Sequence, residues 1–166
     1  MIDIKKILFP TDFTEYSHFA LKYAAALAGS FKAKLYVMHV YEPPVGTGFE
    51  AYPLAVPEYV TGLQNSVRKS LDQVLEKLRS QGIDAERVFK EGRPYVEIVN
   101  SAKELDVDLI TMATHGRKGL SHVVFGSTAE KVVRLAPCPV LTVKHPEHEL
   151  AEWPESADVS STISPH

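Results

Sequence analysis

The sequence predicts an α/β fold: a single open parallel sheet of five strands with helices on both faces. Two observations carry this expectation. Five short apolar segments alternate with four stretches of helical periodicity, and a strand–helix–strand order implies parallel strands joined by right-handed crossovers. The second, fourth and fifth apolar segments are nearly continuous, as strands covered on both faces require.

In chain order, Ile4–Pro10 reads as the first strand. Ser17–Ala28 places Ala20, Leu21, Ala24, Leu27 and Ala28 on one helical face, with Gly29 as its stop. Ala33–Tyr41 is the second strand. Residues 42–57 hold four prolines and two glycines and read as a long irregular loop. Glu58–Gln81 is the longest helix, with apolar residues at three- and four-residue steps from Val60 to Leu78, and Gly82 ends it. Asp84–Lys90 is a more polar strand, suited to a sheet edge. Pro94–Leu105 is the third helix, opening on a proline whose missing N–H costs nothing there. Leu109–Ala113, Ser127–Ala136 and Val140–Val143 complete the pattern as strand, helix and strand.

The chain has 166 residues, enough for one domain with a sizeable core. Hydrophobic residues make up 45% and charged residues 23%. No apolar run reaches the roughly 20 residues of a membrane span. The N-terminus enters a strand-like segment without a leader pattern, and the lone Cys138 has no intramolecular partner. A cytoplasmic setting is expected. Cys138, between two prolines and before an apolar strand, reads as a buried small residue. All 18 Lys and Arg lie at or before Lys144, while five of the 21 acidic residues follow it. The body is therefore nearly neutral, with no basic stripe for nucleic acid. Residues 145–166 form an acidic tail, expected to be mobile or loosely docked, with Trp153 as its one anchor.

Ligands of such sheets sit outside the carboxyl ends of the strands, where the strand order reverses. One of those ends runs into "ATHGRKGLSHVVFGST", Ala113–Thr128, between a buried strand and a helix. Gly116, Gly119 and Gly126 permit positive φ and close approach to a ligand. Ser127 and Thr128 open a helix whose free N–H groups suit phosphate. A second reading has Ser127 as a helix cap paired with Glu130 in a capping box. The spacing fits neither a Walker A loop nor G-x-G-x-x-G. Arg117 and Lys118 either neutralise phosphate or lie on a solvated loop. Asp12, in "FPTDFTEYS", suits ribose hydroxyls or a divalent cation on phosphate; equally, Asp12, Thr14 and Ser17 compete for a local turn or helix cap. His39 reads as a satisfied core histidine within the second strand. His18, His115 and His122 show no metal-ligand spacing, and the absence of G-x-S-x-G argues against a serine hydrolase.

Three segments, "KKILFPTDFTEYSHFALKYAAALA", "LYVMHVYEP" and "ATHGRKGLSHVVFGSTAEKVVRLAPCPVLTVK", resemble the universal stress protein family in order and spacing. The resemblance covers residues 1–144, nearly all of the chain except the tail. It implies the strand order 3-2-1-4-5 and ATP binding through a motif written G-x2-G-x9-G-[S/T]. Here the motif's later positions are Gly116, Gly126 and Ser127, and its first is Ala113 instead of glycine. Two outcomes are open: the extra methyl crowds the ribose, or a negative φ accommodates it.

The resemblance also implies roles for further residues. Pro10 and Thr11 line adenine, Val40 recognises it through the backbone, and Met112 lies beneath it. Asp12 stands near ribose and phosphate, with a weak or indirect hold on Mg²⁺. His115 and Arg117 lie within the binding segment, and Gly116, Gly126, Ser127 and Thr128 hold phosphates. Homodimerisation through Val140–Val143 is implied as well. The expected function is an ATP-binding regulatory protein of the stress response acting on an unknown protein partner. The alternatives are a nucleotide-free interaction protein of the same family and a weak ATPase. Against catalysis, the sequence offers no positioned base and no arginine-finger candidate beyond Arg117.

Overall fold

The computed structural model describes residues 2–42, 56–115 and 125–146. The strands are β1 (Lys6–Pro10), β2 (Lys34–Tyr41), β3 (Ala85–Glu91), β4 (Leu109–Ala113) and β5 (Val140–Val143). The helices are α1 (Glu15–Phe31), α2 (Val56–Ser80), α3 (Pro94–Glu104) and α4 (Ser127–Leu135). The strands form one parallel sheet in the order β3-β2-β1-β4-β5. This is the expected architecture, and the polar third strand lies at an edge.

The two faces of the sheet alternate residue by residue, as the strand period of two demands. Ile7, Phe9, Leu35, Val37, Leu109 and Ala113 pack with Ala20, Ala24 and Ala28 of α1 and with Leu71, Leu75 and Leu78 of α2. Leu8, Tyr36, Met38, Ile110 and Met112 pack with Ile98 and Ala102 of α3 and Ala129 and Val132 of α4. Phe9, Leu8, Leu35 and Ile110 are fully buried, each worth about 1.5–3 kcal/mol relative to exposure. Helices on both faces explain why the central strands lack a polar alternation.

Several boundaries differ from the sequence expectation. β1 starts at Lys6 rather than Ile4, and α1 starts at Glu15 rather than Ser17 because Thr14 is its N-cap. Gly29 lies within α1. The helix runs on to Phe31 and closes at Lys32, which adopts a left-handed φ of 54° and donates its N–H to the Ala28 and Gly29 carbonyls. Gly82 does end α2, at φ +79°, with its N–H bonded to Arg79 O at 2.9 Å. The Pro- and Gly-rich stretch 43–55 lies outside the described residues, as do residues 147–166 with Trp153. Cys138 is half-buried, and desolvation holds its thiol pKa above the ordinary value. No helix among the described residues is long and apolar enough to cross a membrane.

Candidate functional site

β1 lies between β2 and β4, and the chain crosses from β3 over two strands to lay β4 beside it. The sheet order therefore reverses at the β1–β4 junction, where an open parallel sheet leaves a crevice at its carboxyl edge. Pro10 ends β1 opposite Met38, and Met112 and Ala113 end β4 opposite Thr142 and Val143. Val40 lies near the end of β2, opposite Lys90. Pro10–Asp12, Val40 and Met112–His115 thus share one edge of the sheet. Val40 and Met112 face the α3–α4 side, whereas Ala113 packs toward α1 and α2.

The β1–α1 loop is tightly bonded. Thr11 N–H donates to Met38 O at 2.8 Å. Thr11 Oγ1 accepts from Phe13 N–H at 3.1 Å and lies 3.0 Å from Ser17 Oγ. Thr11 O lies 2.8 Å from His39 Nδ1. Asp12 Oδ1 accepts from Thr14 N–H at 3.1 Å and from Thr14 Oγ1 at 2.6 Å. Thr14 Oγ1 in turn accepts from Ser17 N–H at 3.3 Å, capping α1. The local-turn reading of Asp12 is therefore realised, and the competition among Asp12, Thr14 and Ser17 resolves into one chain of bonds. His39 is buried, as a core histidine should be, and bonded to the same loop.

The other wall is the start of α4. Gly126 N–H donates to Thr114 O at 2.8 Å, bringing together the two ends of the glycine-rich segment. Thr114 and His115 are both buried, with Thr114 Oγ1 2.9 Å from His115 Nδ1. Residues 116–124, which include the predicted Gly116, Arg117, Lys118, Gly119 and His122, lie outside the described residues.

Two expectations for α4 are corrected. Gly126, not Ser127, is the N-cap: its carbonyl accepts from Glu130 N–H at 3.0 Å, and no side chain caps the helix. Ser127 is the first helical residue, so the capping-box reading fails. Gly126 has φ −67° and ψ 155°, extended backbone open to any residue. Positive φ is therefore not the reason for a glycine at 126. What remains at this end of the sheet is a helix start with no side-chain cap, a feature α3 shares, together with an exposed Ser127 and a half-buried Thr128. Such N–H groups, with the helix dipole behind them, favour an anion.

Ala113 lies within β4 and is absent from the residues with positive φ. The strand backbone therefore carries the methyl group without a left-handed φ, and crowding at the ribose is a question for nucleotide binding to the Ala113→Gly variant. A hollow of about 400 Å³ lies beside the start of α1, lined by Phe13, Thr14, His18, Phe19, Lys22 and His145 among others. It contains none of the predicted site residues. No three His, Cys, Asp or Glu side chains among the described residues form a metal-binding group.

The sequence places Thr14 among three competing caps, and the structure selects it. The bond from His39 to Thr11 is not foreseen there, because it joins residues 28 apart and leaves no local signal.

Residues 3–144 match the universal stress protein family model. The chain is 36% identical to Universal stress protein MJ0531 of Methanocaldococcus jannaschii, over 87% of this chain and 85% of that protein. It is also 36% identical to Universal stress protein YxiE of Bacillus subtilis, over 84% of this chain and 98% of that one. Among solved structures, MJ0577 superposes with a TM-score of 0.76 at 28% identity, covering 87% of this chain and 98% of that one. Two more distant structures share the fold. One is a universal stress protein in complex with cAMP, with a TM-score of 0.65 at 22% identity, covering 86% of this chain and 98% of that one. The other, from Archaeoglobus fulgidus in complex with dAMP, has a TM-score of 0.57 at 23% identity and covers 87% of this chain and 100% of that one. With one sheet, one strand order and a family match spanning nearly the whole body of the chain, this protein belongs to the universal stress protein family.

Proposed function

We propose that this protein binds ATP, with Mg²⁺ on its phosphates, and acts as a nucleotide-dependent regulatory protein of the stress response in the cytoplasm. The observation that carries the reading is the start of α4. Its N-terminal N–H groups have no side-chain cap, and Gly126 is tied to the end of β4 at the strand reversal. Ser127, Thr128 and the N–H groups around them hold phosphate. Gly116 and Arg117 complete that cradle. Pro10, Thr11, Val40 and Met112 hold adenine, and Asp12 meets ribose or the metal. His115, buried against Thr114, fixes the end of β4 from which the cradle springs. The bound cAMP and dAMP of the two distant family members support an adenine nucleotide as the ligand class. Residues 1–144 are the binding domain, and the acidic residues of 145–166 take no part in holding phosphate. The protein works as a homodimer paired through Val140–Val143 and signals to a protein partner.

A specific observation favours a second reading, a nucleotide-free interaction protein: Asp12 Oδ1 is already engaged by Thr14. Native mass spectrometry of freshly purified protein separates the two. Co-purified adenine nucleotide supports the first reading. Protein that is nucleotide-free, and stays so after incubation with Mg²⁺-ATP, supports the second. Single-turnover assays with labelled ATP then report whether the bound nucleotide is hydrolysed.

A further inference from the structure

The geometry points to His39 as a positioning residue: its ring sets the β1–α1 loop and so delivers Asp12 to the nucleotide. This rests on the nucleotide reading above. A carbonyl oxygen only accepts, so the 2.8 Å contact to Thr11 O requires the proton on His39 Nδ1. The same ring lies 4.9 Å from Phe13, at an interplanar angle of 31°, and 6.5 Å from Phe89. The Arg68 guanidinium lies over the Phe89 ring, 4.4 Å from its centroid.

His39 therefore grips the loop on both sides of Asp12, by a hydrogen bond at Thr11 and by ring contact at Phe13. Phe13 needs that grip. Its φ of 62° lies in the left-handed region, which a bulky aromatic residue enters only under constraint. The residue between the two anchors is the loop's only carboxylate. Thr11 N–H is bonded to Met38 O, so consecutive β2 residues hold both the N–H and the C=O of Thr11. The ring touches a strained turn at two points, on either side of a predicted ligand-binding side chain.

The test is a double-mutant cycle on the full-length protein, read as the dissociation constant for Mg²⁺-ATP by calorimetry. His39→Phe keeps an aromatic ring but removes the donor, and should weaken ATP roughly two- to twelvefold, the range for one lost hydrogen bond. His39→Asn restores an N–H at the same number of bonds from Cα and should recover much of that loss. Asp12→Ala should weaken binding, and adding His39→Phe to it should cost little more, because the histidine acts through the aspartate. Additive losses, or His39→Phe equal to wild type, overturn the inference while leaving ATP binding in place. Wild type that fails to bind ATP overturns both. If His39→Phe does not fold, His39→Leu takes its place in the cycle. If neither folds, the residue serves folding and the inference falls.

Discussion

Ala113 occupies the first glycine position of the motif, yet its methyl group belongs to the core on the α1 side, with Leu109 and Phe9. Met112, on the predicted adenine face, points the other way. Ala113→Gly should therefore leave Mg²⁺-ATP affinity within about twofold of wild type, while stability in urea falls by about 0.5–1 kcal/mol from the added backbone freedom. A clear gain in affinity would mean that the methyl crowds the ligand after all. Ser127 gives the converse case. It is exposed at the first turn of α4 and caps nothing, so Ser127→Ala should leave the urea midpoint unchanged. Calorimetry should register a loss of about 0.5–1.5 kcal/mol in binding, the net worth of one hydrogen bond. A loss of stability with affinity intact would assign it to the helix. At this scale the sequence was a partial guide. "STAE" has the letters of a capping box, but Gly126 takes the cap position and moves Ser127 into the helix.

The elements were legible where periodicity is strong and less so at their ends. α1 starts two residues before its apolar pattern because a bond from Ser17 N–H to Thr14 Oγ1, rather than hydrophobicity, fixes the start. It passes through Gly29 because one glycine in a helix costs only about 1 kcal/mol, and its true stop, Lys32, carries no glycine signal. Thr14 serves helix and site together, as it caps α1 and donates to Asp12. Thr14→Ala should lower stability by about 0.5–2 kcal/mol, the usual cost of a lost N-cap. It should also weaken Mg²⁺-ATP binding, since Asp12 loses a partner that fixes its carboxylate. Thermal melts and calorimetry on one preparation separate the two effects, and a stability loss with unchanged affinity would confine Thr14 to the helix.

For the whole molecule, alternation of strand and helix predicted the parallel sheet, but only the family resemblance supplied the order of its strands. Order depends on which crossovers cover which face, and the helices carry apolar stripes that fit either face. The order leaves β5 at an edge, where its described partner is β4 alone and Leu141 is 37% exposed. An uncharged edge of this kind leaves N–H and C=O groups open to pairing with another chain, as the proposed dimer requires. Leu141→Lys should shift sedimentation from dimer toward monomer without unfolding the protein, because the position is already partly open to water. A wild-type monomer at micromolar concentration would remove the dimer from the account. The central claim is that the crevice at the β1–β4 reversal holds ATP against the uncapped start of α4. Calorimetric titration of Mg²⁺-ATP into wild type and into Gly126→Val tests it most directly. Because Gly126 has a φ that valine tolerates, the variant should fold and still lose binding, its side chain filling the space the phosphate needs. Saturable binding of one ATP per chain by wild type, abolished in a folded Gly126→Val, is the predicted result; no binding by wild type, or equal binding by both, would contradict it.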